Sequence, residues 1–76
     1  MSLSVRDSMS IRLAAATYRY PARRESDVLE LLGMTPATFW RHVNVLIDRP
    51  EALAAFPQEV RRLQRLRDAR RRARAA

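Results

Sequence analysis

The chain predicts an all-α fold, and three observations carry that expectation. No stretch alternates with period two for long enough to form a strand. Ala, Leu and Arg, all good helix formers, dominate the composition. The single glycine, Gly33, and the four prolines, Pro21, Pro36, Pro50 and Pro57, divide the sequence at intervals that suit short helices. With 76 residues the chain holds one small domain, since a domain commonly needs about 100–200. Cysteine is absent, so neither disulfides nor thiolate metal sites can staple the fold, and compactness must come from helix packing, a partner or both.

The first helix is expected from about residue 5 to 19. Ser4-Val5-Arg6-Asp7 fits a capping box, and Met9, Leu13, Ala16 and Tyr20 recur at helical spacing before Pro21 stops the helix. The second is expected over about 23–32, with Val28, Leu29, Leu31 and Leu32 forming a broad apolar face. Glu25, Asp27 and Glu30 share this helix and read as charges favouring its N-terminal half. Gly33 then stands where a left-handed C-terminal cap is needed. Thr35-Pro36 opens the third helix, threonine as N-cap and proline at the first helical position, with Phe39, Val43, Leu46 and Ile47 turned inward. Pro50 opens a short fourth helix through Ala55, and Pro57 a last one from Gln58 to about Arg74. In that last helix Val60, Leu63 and Leu66 form a narrow apolar stripe, which either closes the core or, with Leu53 and Phe56, forms a homodimer surface.

Charge is distributed unevenly. All 15 basic residues are arginine, against 8 acids and one histidine, His42, for a net +7. Residues 57–76 hold eight arginines against Glu59 and Asp68, which leaves +6; residues 1–56 hold seven arginines against six acids, which leaves +1. A near-neutral helical domain over residues 1–56 is therefore followed by an arginine-rich C-terminal helix over 57–76, packed on it or extending from it. A polycation of this kind attracts phosphate polymers, and the guanidinium bonds phosphate oxygens bidentately. Its arginines, Arg61, Arg62, Arg65, Arg67, Arg70, Arg71, Arg72 and Arg74, are the candidate phosphate contacts, with about four expected to engage together.

Helix, glycine turn and second helix over about 23–47 match a helix-turn-helix, whose second helix enters the DNA major groove. With Gly33 at the turn, Val28, Leu32, Met34 and Phe39 fall where that motif buries residues. Leu29 is larger than the alanine usual between the helices, and His42 replaces a buried aliphatic; it is read as a partly buried core residue without chemistry. Because Phe39 and Val43 face inward, Ala37, Trp40, Arg41 and Asn44 are expected outward as base contacts. Arginine pairs with guanine, asparagine with adenine, and a small apolar group touches a thymine methyl. Thr35 and Thr38 at the helix start are candidate phosphate contacts. Trp40 has an alternative role, packing against the first or last helix.

Leu32-Gly33-Met34-Thr35, the run Asn44-Val45-Leu46-Ile47-Asp48-Arg49-Pro50-Glu51-Ala52-Leu53-Ala54, and Val60-Arg61-Arg62-Leu63-Gln64-Arg65-Leu66-Arg67 together carry a family resemblance. The chain is similar, over about residues 11–74, to a family of short proteins of actinobacterial (alternatively phage) source and unassigned function. That family has a predicted helix-turn-helix and an arginine-rich C-terminus. The chain departs from it at Thr17-Tyr18, where paired aromatics are usual, and at Pro21-Ala22, where a small flexible pair is usual. The resemblance implies fold and cell context but no ligand.

The expected function is that of a DNA-binding protein, a transcriptional regulator or accessory factor acting on double-stranded DNA. The alternatives are an adapter docking on RNA polymerase or a sigma factor, and an RNA-binding protein whose tail folds on its target. No enzyme and no cofactor are expected, because one glycine cannot build a phosphate-cradling loop and one histidine cannot form a catalytic pair. No membrane association is expected either. Leu13-Ala14-Ala15-Ala16 resembles a signal-peptide cleavage region, but Arg12 interrupts the apolar stretch before it. A cytoplasmic, nucleoid-associated location is the corresponding expectation.

Overall fold

The computed structural model describes residues 2–75, and among them the fold is all-α. Five helices follow one another: α1 (Val5–Ala15), α2 (Pro21–Leu32), α3 (Pro36–Leu46), α4 (Pro50–Ala55) and α5 (Pro57–Ala75). Helix α1 is the hub, packing against α2, α3 and α5, while α2 meets α3 and α4 lies against α5. No helix is long and apolar enough among the described residues to cross a membrane.

Proline placement explains most of the boundaries. Pro21, Pro36, Pro50 and Pro57 each begin a helix, where the missing N–H would have had no intrahelical partner. Pro21 therefore starts α2 at residue 21 instead of merely ending the helix before it. Helix α1 is correspondingly shorter than its apolar spacing suggests, stopping at Ala15 with Ala16 already extended. Ser4 caps α1 by accepting from the Asp7 N–H at 3.0 Å. The other half of the capping box is not formed, because the Asp7 carboxylate turns to His42 at 3.0 Å and to Arg49 at 3.7 Å. Gly33 closes α2 at φ 66°, donating its N–H to the Leu29 carbonyl at 2.9 Å, in the left-handed conformation that glycine adopts without a Cβ penalty.

The core contains one or more residues from every helix: Ile11 and Ala14 of α1, Val28 and Leu32 of α2, Phe39, Val43 and Leu46 of α3, Ala52 of α4, and Val60 and Leu63 of α5, with Met34 and Ile47 from the turns. The inward residues expected on α3 are all buried. On α1 the buried set is Ser10, Ile11 and Ala14, not the stripe through Met9, Leu13, Ala16 and Tyr20; Tyr20 is 63% exposed. Ser10 tolerates full burial because its hydroxyl donates to the Arg6 carbonyl one turn back, at 2.9 Å. On α2 only Val28 and Leu32 turn inward, while Leu29 and Leu31 are exposed. Val60 and Leu63 close the monomer's own core, leaving Leu66 and Leu53 as the outward remnants of that apolar stripe.

Candidate functional site

Arginine has two distinct roles in this fold. Helix C-termini leave carbonyls without intrahelical partners, and cations favour that end of the dipole. Four arginines serve those carbonyls from other helices. Arg6 donates to the Leu32 carbonyl at the end of α2. Arg24 donates to the Leu13 and Ala16 carbonyls, and Arg62 to the Ala15 carbonyl, all at the end of α1. Arg67 donates to the Asn44 carbonyl in the last turn of α3 and binds Asp48 at 2.8 Å and Asp68 at 3.3 Å. Its side chain is only 13% exposed, and the hydrogen bond with Asp48 raises its pKa above the usual value. Arg67 is therefore an internal clamp and leaves the set of candidate phosphate contacts. Gln64 reinforces the same junction by donating to the Ile47 carbonyl at 2.9 Å.

The remaining tail arginines, Arg61, Arg65, Arg70, Arg71, Arg72 and Arg74, are exposed, as is Arg62 beside its carbonyl contact. They do not form one track. At 3.6 residues per turn Arg70, Arg71 and Arg74 fall on the side of α5 that carries Val60, Leu63 and Arg67. Arg61, Arg65 and Arg72 fall on the other side.

Helix α3 presents Ala37, Thr38 and Arg41 to solvent, together with Val45, which is 65% exposed. Val45 was not among the expected contacts, although its place one turn after Arg41 puts it on that face. At the N-terminus Thr35 is exposed; its hydroxyl accepts from the Thr38 N–H at 3.4 Å and donates to the Thr38 hydroxyl at 2.9 Å. No acidic residue lies in the first turn of α3.

Trp40 and Asn44 stand apart from this face. Both are half-buried and line a cleft between α3 and α5 with Arg67, Arg70, Ala73 and Arg74. Trp40 meets Phe39 edge-on, with ring centroids 5.1 Å apart and planes at 71°. The Arg24 and Arg70 guanidinium carbons lie 5.7 and 5.8 Å from its centroid, within cation–π range. Of the four base contacts expected from sequence, Ala37 and Arg41 share the open face of α3, while Trp40 and Asn44 turn toward α5.

Two further contacts fix the orientation of α3. His42, half-buried, joins Asp7 of α1, which also meets Arg49 before α4. Arg24, unassigned by sequence reasoning, spans α1, Tyr18 and Trp40, its guanidinium 4.8 Å from the Tyr18 ring.

No curated protein and no solved structure matches the chain. A family model does match, over residues 2–75, nearly the full length of the sequence. The chain belongs to that family, which is described as a protein of unknown function (DUF3263).

Proposed function

We propose that the protein is a DNA-binding module, not an enzyme, in which α2, the Gly33 turn and α3 act as a helix-turn-helix on double-stranded DNA. The observation that carries this reading is the open face of α3. Ala37, Thr38, Arg41 and Val45 are exposed on one side of a helix whose other side is anchored in the core. Arg41 suits guanine O6 and N7, Ala37 and Val45 suit thymine methyls, and Thr35 with the helix N-terminus suits a phosphate oxygen. Arg70, Arg71 and Arg74 add phosphate contacts from α5.

A role as transcriptional regulator or accessory factor, with nucleoid association in the cytoplasm, extends this reading, and the sequence resemblance adds an actinobacterial or phage source. Homodimerisation is common among half-site readers, and of the apolar stripe expected to serve it only Leu53 and Leu66 are exposed, since Val60 and Leu63 are buried within the monomer. A second reading, an adapter docking on RNA polymerase or a sigma factor, draws support from Leu29 and Leu31, 62% and 56% exposed on α2.

Selection from a random duplex library, followed by titration of Arg41→Ala on the enriched and unselected duplexes, separates the two. DNA reading predicts that discrimination falls by about 1–3 kcal/mol, the worth of a bidentate base contact. An adapter enriches no sequence and loses its partner with Leu29→Ser.

A further inference from the structure

The cleft between α3 and α5 has a chemistry of its own. It is an open groove of about 570 Å³ lined by Trp40, Asn44, Arg67, Arg70, Ala73 and Arg74. An adjoining crevice shares Trp40, Asn44, Arg67 and Arg70 and is lined further by Val43, Leu63 and Leu66, with Arg24 and Arg62 also on its wall. The cleft thus combines a flat aromatic surface, one amide that both donates and accepts, and a cationic rim, with apolar side chains lining the adjoining crevice. No carboxylate lines it. The two acids on the α3–α5 junction, Asp48 and Asp68, are bound to Arg67.

We infer that this cleft holds one unpaired nucleotide of single-stranded DNA, its base against the Trp40 indole and its phosphate on Arg70 and Arg74. Stacking on an aromatic ring needs no particular base, which suits a strand exposed beside a duplex. Asn44 supplies the hydrogen-bonding group that addresses a base edge. An acidic peptide would satisfy the arginines alone and give no use to the indole or the amide. Arg70 is exposed and touches Trp40 only at the edge of cation–π range, so a base can replace it there while its charge moves to the phosphate. Paired bases, stacked inside a duplex, present no face to the cleft. The choice of DNA over RNA rests on the reading of α3 given above.

Trp40 is the only tryptophan, so its emission reports the cleft directly. The full chain is titrated with an oligo(dT) octamer, an abasic deoxyribose-phosphate octamer, an oligo(U) octamer and an octaglutamate peptide. Oligo(dT) is expected to quench Trp40 and to bind about tenfold more tightly than the abasic strand. Asn44→Ala and Arg70→Gln are each expected to weaken that preference at least threefold with helix content unchanged. Equal binding of the abasic strand or octaglutamate, with emission unaltered, would overturn the site; tighter binding of oligo(U) would overturn its assignment to DNA. Duplex affinity, read separately by anisotropy with Arg41→Ala as the control, keeps the two proposals apart. Duplex binding that needs Arg41, without quenching by oligo(dT), sinks the cleft alone; quenching without duplex binding sinks the α3 reading and leaves the choice of DNA to the comparison of oligo(dT) with oligo(U).

Discussion

Ending the chain after Ala69 removes Arg70, Arg71, Arg72 and Arg74 and leaves Arg67 clamped to Asp48, Asp68 and the Asn44 carbonyl. Arg70, Arg71 and Arg74 share the side of α5 that continues past Arg67 toward α3, whereas Arg72 projects from the other side. On the proposed reading the truncation therefore removes three phosphate contacts, of the about four expected among all eight tail arginines. Each neutralised phosphate contributes about −0.9 to the slope of log affinity against log salt, so the truncation should flatten that slope by about 2.7. Between 50 and 200 mM salt the full chain should then lose about 40-fold more affinity than the shortened one. Anisotropy of a labelled duplex across that range measures both slopes. Residues 70–75 are all exposed, so melting temperature should hardly move, which separates loss of contacts from loss of fold. Identical slopes for the two proteins would refute the assignment of these arginines to phosphates.

Three further outcomes follow from the fold itself. Gly33→Ala meets no steric obstacle, since nothing lies within 4 Å of the added Cβ, but the φ of 66° remains. It should cost about 1 kcal/mol and lower the urea midpoint by roughly 1 M; an unchanged midpoint would contradict the left-handed cap. Arg67→Ala should destabilise by about 1–2 kcal/mol in the same assay, because it leaves the Asn44 carbonyl without its donor and breaks the pairs with the solvent-exposed Asp48 and Asp68. The exposed Arg65→Ala should stay within about 0.5 kcal/mol, and similar losses for both would show that the clamp contributes nothing special. Tyr18 donates to Asp27 at 2.6 Å, and that hydrogen bond raises its pKa from the ordinary 10.0. The bond's contribution is thus complete below pH 10.0 and disappears as pH rises through the raised value. The phenolate absorbance lost in Tyr18→Phe should accordingly emerge above pH 10.0, and a transition at or below it would contradict the bond.

Local rules made the helix ends legible. The αL cap at Gly33, the Thr35-Pro36 start and the starts at Pro50 and Pro57 each depend on one or two residues, and all are found. Pro21 misled because a proline that cannot continue one helix is equally suited to begin the next. Faces were harder to read where apolar residues surround a helix. Leu29 and Leu31 flank Val28 on both sides, and only tertiary packing decides which of them is buried. Ser10 lies in the core although its type predicts exposure, because the bond to the Arg6 carbonyl satisfies its hydroxyl.

The candidate site was half legible for the same reason. The inward register of Phe39 and Val43 correctly placed Ala37 and Arg41 on the open face of α3. Trp40 and Asn44 depend on where α5 runs, a long-range fact that helical spacing does not encode. Nor can composition distinguish Arg67 from its seven neighbours in the tail, since its partner Asp48 lies 19 residues away.

Backbone amide shifts of the labelled protein, followed while a short duplex is added, test the central claim most directly. A helix-turn-helix reading predicts the largest changes at Thr35, Ala37, Thr38, Arg41 and Val45, with a second set at Arg70, Arg71 and Arg74 and none at Leu53. Changes confined to α5 would reduce the protein to a cationic tail on an inert scaffold. Changes centred on Leu29 and Leu31, or none at all on α3, would contradict the claim that this helix reads DNA.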